Sequence, residues 1–136
     1  MAAPRVGTLG VRYHADGRRA FYGDIFDRPD GDINIVYLQP AIPIAWHRHH
    51  WQTDQLFLIA GALRVQMFLD TPHTPLRRLL TEDAGHRGPV MIPRGWWHGY
   101  EAIGVPTIIL QFNGPGKWDG TDEERHPIDD EMPWTL

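Results

Sequence analysis

His47 and His49 stand two residues apart in a segment rich in strand-forming residues, so on a β-strand both imidazoles point to one face. A hairpin return brings Asp54 beside them, and a second hairpin delivers His98 behind Pro93-Arg94-Gly95-Trp96-Trp97. Three imidazoles and one carboxylate make a donor set for one divalent transition metal, and Fe, Mn, Ni, Zn and Cu all suit it. The expected ligands are His47, His49, Asp54 and His98. A metal held this way leaves open positions where the enol, carbonyl or carboxylate of a small oxygenated substrate is polarised. Without a metal, the same histidines line a polar pocket that hydrogen-bonds a ligand or moves protons.

Strand parity selects the neighbours. Tyr100 shares parity with His98 and is the expected proton donor, with His49 as the other catalytic group. Trp96 falls on the His98 face and Trp97 on the other. Trp51 shares parity with His49 if that strand continues. Arg64 and Gln66 share parity with each other and suit a carboxylate or phosphate, and Gln111 lies on the last core strand. Trp51, Arg64, Gln66, Trp96 and Gln111 are therefore the expected substrate contacts. His50 is expected to face away from the pair, and His14, His73, His86 and His126 to lie at the surface in polar turns.

The elements that must position these groups read as β throughout. Ten short runs rich in branched and aromatic residues span Val11–His14, Arg19–Phe26, Ile33–Gln39, Ile44–His49, Gln55–Ala60, Leu63–Leu69, Leu76–Leu80, Val90–Ile92, His98–Ile103 and Thr107–Phe112. Asp16-Gly17, Asp30-Gly31 and Gly104 are among the turn signals between them. Only Leu76–Glu82 could be mistaken for a helix. So many strands in 136 residues predict an all-β sandwich, barrel or jelly roll. One domain is expected over 1–136, with N-terminal strands over 11–26, a core over about 33–113, and a tail over 114–136 wrapping the barrel through Trp118, Ile128 and Trp134.

Composition narrows the partners. There is no cysteine, which excludes disulfides, thiolate ligands and cysteine nucleophiles and fits a cytoplasmic location. A net charge of −4 gives no electrostatic reason to expect nucleic acid or an acidic membrane. No apolar run approaches the ~20 residues of a membrane span, and no signal-peptide core is read at the N-terminus. The expected partner is a small-molecule substrate.

His47-x-His49-x4-Asp54-x6-Gly61 resembles the first cupin motif, with Asp where Glu is usual. Gly88-x4-Pro93-x-Gly95-x-x-His98 resembles the second, one residue shorter and without its final Asn. Within the cupins, the chain most resembles short proteins related to dTDP-4-dehydrorhamnose 3,5-epimerase. Gln52-Thr53-Asp54, the Gly61-to-Asp70 strand, Ile92-Pro93-Arg94-Gly95 with His98-Gly99, and Asp122 to Asp130 carry that likeness, over roughly His47 to Trp134. The His-x-His spacing also fits the nucleotide-sugar 3,4-ketoisomerases. The resemblance implies a double-stranded β-helix jelly-roll barrel, a homodimer, and a ligand in the barrel mouth.

The epimerase chemistry carries over only in part. His47 or His49 fills the place of the family's base. The family's enolate-stabilising Lys falls at Asp54, and its Tyr acid finds Gln111, Phe112 or Trp118. An anion opposes enolate charge, so standard 3,5-epimerase activity is not expected. Asp54 does lie where metal-binding cupins place a carboxylate. The expectation is a metal-dependent cupin enzyme of isomerase, lyase or oxygenase type in secondary or carbohydrate metabolism. The alternatives are a metal-independent nucleotide-sugar epimerase or ketoisomerase and a non-catalytic binding cupin.

Overall fold

Alternating burial along the three longest strands organises the molecule, because successive side chains on a pleated strand face opposite ways. The computed structural model describes Ala3 and residues 19–26, 29–118 and 120–135. Its strands are β1 (Arg19–Tyr22), β2 (Asp32–Leu38), β3 (Ile44–His49), β4 (Thr53–Ala60), β5 (Leu63–Phe68), β6 (Leu76–Leu80), β7 (Val90–Ile92), β8 (Trp97–Ala102), β9 (Thr107–Gly114) and β10 (Glu123–Arg125). Two five-stranded antiparallel sheets result, ordered β1-β2-β9-β4-β7 and β10-β3-β8-β5-β6. This is the expected all-β jelly roll. The strand expected over Val11–His14 lies outside the described residues, as does His14. Among the described residues no helix is long and apolar enough to cross a membrane.

The inward positions change character from one end of the barrel to the other. On β2 they run Asp32, Asn34, Val36, Leu38; on β4, Asp54, Leu56, Leu58; on β9, Asn113, Gln111, Ile109, Thr107. The registers align these gradients, with Asn113 opposite both Asp32 and Asp54. One end is therefore a sealed apolar core of Val36, Leu38, Leu56, Leu58, Leu63, Val65 and Ile109. The other end gathers buried polar groups, and it is there that a site can exist.

A shift in register between Ala45 and His47 decides what β3 shows to each side. Ile44 and the histidines face the interior, while Trp46 joins a second cluster outside the sheet with Phe68, Met132, Trp97 and Trp134. The C-terminal tail covers this cluster. Trp46 Nε1 donates to the Met132 carbonyl at 2.8 Å, and the Trp46 ring packs on Trp134 with centroids 5.3 Å apart. The tail residues packed on this cluster are Met132 and Trp134. Trp118 and Ile128 are 36% and 38% exposed. The tail also contributes β10, paired with the free edge of β3. Its short sequence, Glu-Glu-Arg, carries no alternation from which a strand could be read.

Candidate functional site

The polar end holds a cavity of about 60 Å³, lined by His47, His49, Asp54, His98, Tyr100, Gln111 and Asn113, with Arg19, Phe21, Trp118, Glu123 and Arg125 toward its mouth. Asp54 is its centre, and only 1% of it is exposed. Oδ2 lies 3.2 Å from His49 Nε2 and 3.0 Å from His98 Nε2, so one carboxylate oxygen joins two imidazoles. Oδ1 accepts from Asn113 Nδ2, and Asn34 Nδ2 donates in turn to Asn113 Oδ1 at 3.1 Å. Three partners, His49, His98 and Asn113, thus replace water around the carboxylate, which is what lets it sit there.

The second nitrogens of the two rings differ. His98 Nδ1 lies 3.1 Å from the Trp96 carbonyl, and its Nε2 faces Asp54. His49 Nδ1 is buried without a hydrogen bond; its nearest carboxylate oxygen, Asp122 Oδ2, is 3.6 Å away. Asp122 accepts the backbone N–H groups of His50, Trp51 and Gln52 at 2.8, 2.9 and 3.1 Å. It therefore pins the β3–β4 turn and flanks the His49 ring.

These contacts set the charges. Burial works against ionisation of Asp54, but the bonds from His49 and His98 outweigh it and hold the carboxyl well below its usual range. Burial also opposes a charge on His49, yet Asp54, with Glu123 and Asp122, raises its pKa above the ordinary 6.5. His47 goes the other way. Burial first, then the nearby His98, Arg19 and Arg125, pushes it well below 6.5. It makes no hydrogen bond to the described residues, so a neutral imidazole faces the cavity with its lone pair free.

Of the four expected ligands, His49, Asp54 and His98 bring their ligand atoms within 4.8 Å of one another. The separations of 3.0 and 3.2 Å match neighbouring ligands around a small divalent ion, about 3.0–3.4 Å for bonds of about 2.1 Å. The donor set therefore fits such an ion. His47 stands apart from this trio, its ring centroid 6.0 Å from that of His98.

Tyr100 and Gln111 reach the cavity as expected. Tyr100 is buried, and its Oη accepts from Arg19 Nη1 at 2.7 Å. Four expected contacts are elsewhere. Arg64 and Gln66 face outward from β5: Arg64 pairs with Glu101 at 3.1 Å, and Gln66 bonds Thr135 of the tail. Parity put them on one face but could not say which. Trp51 is 46% exposed in the turn after β3. Trp96 packs against the core beside a groove with Met67, Leu76 and Pro93, away from the cavity. His50 turns outward onto Glu124 at 2.6 Å, and His73 and His86 are exposed. Sequence reasoning missed Arg19, Phe21, Glu123, Arg125 and Asn113. Asn113 alone had a signal, its shared parity with Gln111.

The fold is the double-stranded β-helix, as in the solved structures it resembles. No family model matches the chain. It is 32% identical over 96 residues to the "probable low-salt glycan biosynthesis epimerase Agl13" of Haloferax volcanii, an alignment covering 66% of this chain and 62% of that protein. Its backbone is similar to the capsular polysaccharide assembling protein CapF of Staphylococcus aureus, with a TM-score of 0.75, 17% identity, and coverage of 89% of this chain and 35% of CapF. It is also similar to a dTDP sugar isomerase of Desulfovibrio desulfuricans G20, with a TM-score of 0.63, 21% identity, and coverage of 94% and 87%. The chain thus spans less than two thirds of Agl13 and about a third of CapF.

Proposed function

We propose that the chain is a sugar isomerase of the proton-transfer kind, an epimerase or ketoisomerase acting on a keto-sugar carried by a nucleotide. The observation that carries this reading is the pairing, in one cavity, of a neutral buried His47 with the Asp54-bridged His49 and His98. Removing a proton α to a ketone needs an unprotonated base, and His47 is held in that form. The enolate oxygen needs positive charge, and Arg19 supplies it from β1, since Asp54 occupies the position where the epimerases carry Lys. Tyr100, oriented by Arg19, and the protonated His49 are the groups that return a proton. Phe21 and Trp118 at the mouth suit a ring, and Arg19 and Arg125 suit phosphate charge. The likeness to Agl13, a probable glycan biosynthesis epimerase, and to the Desulfovibrio dTDP sugar isomerase agrees with sugar chemistry.

A metal-dependent reading has its own support. His98 Nδ1 lies 3.1 Å from a backbone carbonyl, the ring orientation metal-ligating histidines adopt. In that case His49, Asp54 and His98 would hold the ion, which would supply Lewis acidity to a substrate oxygen, and His47 would remain the base.

One experiment tests both. The protein is stripped with EDTA and incubated with a dTDP-4-keto-6-deoxyhexose in D2O, and deuterium uptake next to the ketone is followed by NMR. Uptake by the stripped protein, lost in His47→Gln, is expected. Uptake only after Zn(II), Mn(II), Fe(II), Ni(II) or Cu(II) is restored transfers the proposal to the metal-dependent form. Binding of the nucleotide sugar with no uptake under any condition overturns the enzyme reading in favour of a binding protein.

A further inference from the structure

Most polar groups around the cavity are held by the fold or used by the proposed chemistry. Asp54 is bonded by His49, His98 and Asn113, Asn113 by Asn34, and Tyr100 by Arg19. Gln111 stands outside both groups. It is 8% exposed and lines the cavity, yet its buried Oε1 accepts no hydrogen bond from any described residue.

Its place on β9 makes that unusual. The inward positions run Asn113, Gln111, Ile109, so Gln111 stands one layer, about 7 Å, beyond Asn113 toward the apolar core. Across the registers it faces Asn34 on β2 and Leu56 on β4. A residue that served only the fold would be apolar here, like Leu56 and Ile109, or bonded, like Asn34. A buried amide that is neither costs stability, and a cost of that kind is kept where a ligand repays it. Tyr100 holds the matching layer of the other sheet, one inward position beyond His98. Because Asp54 meets His98 across the two sheets, Gln111 and Tyr100 flank the cavity from opposite walls at one depth.

We infer that Gln111 is a specificity residue whose amide bonds a hydroxyl on the sugar ring, so that keto-sugars retaining this hydroxyl are taken and deoxy-sugars lacking it are rejected. The inference rests on the sugar-isomerase reading and adds to it what the ring must carry. A primary amide offers one acceptor and two donors, and a hydroxyl both donates and accepts, so each satisfies the other whichever way the amide is turned. A ketone or ether oxygen only accepts and leaves Oε1 orphaned. An ammonium places a second cation in the cavity with Arg19. A site built on a buried hydrogen-bonding group rejects a ligand without the partner far more strongly than an apolar wall rejects a missing methylene, because the group is left unpaired.

The test compares dTDP-4-keto-6-deoxyglucose with its 2-deoxy and 3-deoxy counterparts, in the wild type, Gln111→Leu and Gln111→Met. All three sugars keep C–H bonds next to the ketone, so deuterium exchange reads each one, and calorimetry reads their binding without turnover. The wild type should lose at least about 100-fold in kcat/KM or affinity for one deoxy-sugar, while the variants treat that sugar and its parent within about threefold of each other. Because the fold does not hold the amide, both variants should unfold in urea at midpoints no lower than that of the wild type. A wild type that treats the three sugars alike, or variants that keep its preference, overturns the inference. Lower midpoints in both variants overturn it too, by showing that the fold holds the amide. Binding with the expected preference but no exchange by the wild type upholds the inference and overturns the enzyme reading alone. Failure to bind any of the three sugars overturns both.

Discussion

Replacing Asp54 with Asn tests the electrostatic centre of the cavity, because shape is kept and charge is removed. The signs are opposite for its two partners. The Asp54 carboxyl lies below its ordinary 3.8, so its contribution to stability is complete above that value and is lost as pH falls through the depressed folded pKa. His49 lies above its ordinary 6.5, so its contribution is complete below 6.5 and is lost as pH rises through the raised folded pKa. The pair is therefore worth most between about pH 4 and 6.5. At pH 5.5, Asp54→Asn leaves His49 buried without its anion, and the loss should be about 2–4 kcal/mol, as when one partner of a buried pair is removed. At pH 8.5 the ring is closer to neutral and can accept from the Asn amide, so the loss should shrink to about 1 kcal/mol, the worth of a neutral hydrogen bond. Urea unfolding followed by the fluorescence of the six tryptophans, in EDTA and at fixed protein concentration, measures both. An equal loss at the two pH values, or a larger one at pH 8.5, would refute the reasoning.

Two further outcomes are expected. Because burial and neighbouring cations hold His47 below 6.5, the acid limb of kcat/KM for deuterium exchange should fall below pH 6.5, and His47→Gln should cost about 10²–10⁴-fold in rate with the fold intact by circular dichroism; a limb above pH 7 would contradict a His47 base. Gly99→Ala should destabilise by about 1–3 kcal/mol in the same urea assay, since the new methyl would sit 2.3 Å from the Ala45 Cβ and 2.9 Å from the Trp134 ring; an unchanged midpoint would mean that the tail does not seat against β8.

The barrel was legible because its signal is local. Runs of branched and aromatic residues between turn signals locate a strand whatever it later pairs with, and β3, β6 and β7 fall at the residues where those runs placed them. The centre of the site was legible for a similar reason: His47, His49 and His98 are inward by parity on β3 and β8, which pair directly, while Asp54 is inward on β4 and reaches them from the facing sheet rather than by a hairpin. Arg64 and Gln66 mark the limit. Parity groups residues by face, and only the sheet's partner says which face is inside. Trp96 and Trp51 failed at strand ends, where the Pro93–Gly95 turn and the β3–β4 turn break the alternation. Arg19, Glu123 and Arg125 come from short strands whose pairing is fixed by distant edges, and nothing within their own few residues reports it.

The site is drawn from both ends of the chain. Arg19 meets Tyr100 across 81 residues, Asn34 meets Asn113 across 79, and Arg48 beside the histidines meets Glu124 across 76. Such contacts close the longest loops, so they are slow to form and none can be made by a fragment. The cavity is consequently a late product of folding. Recovery of the proposed deuterium exchange after dilution from urea should trail the return of strand signal, which makes that exchange a report on completion of the whole barrel.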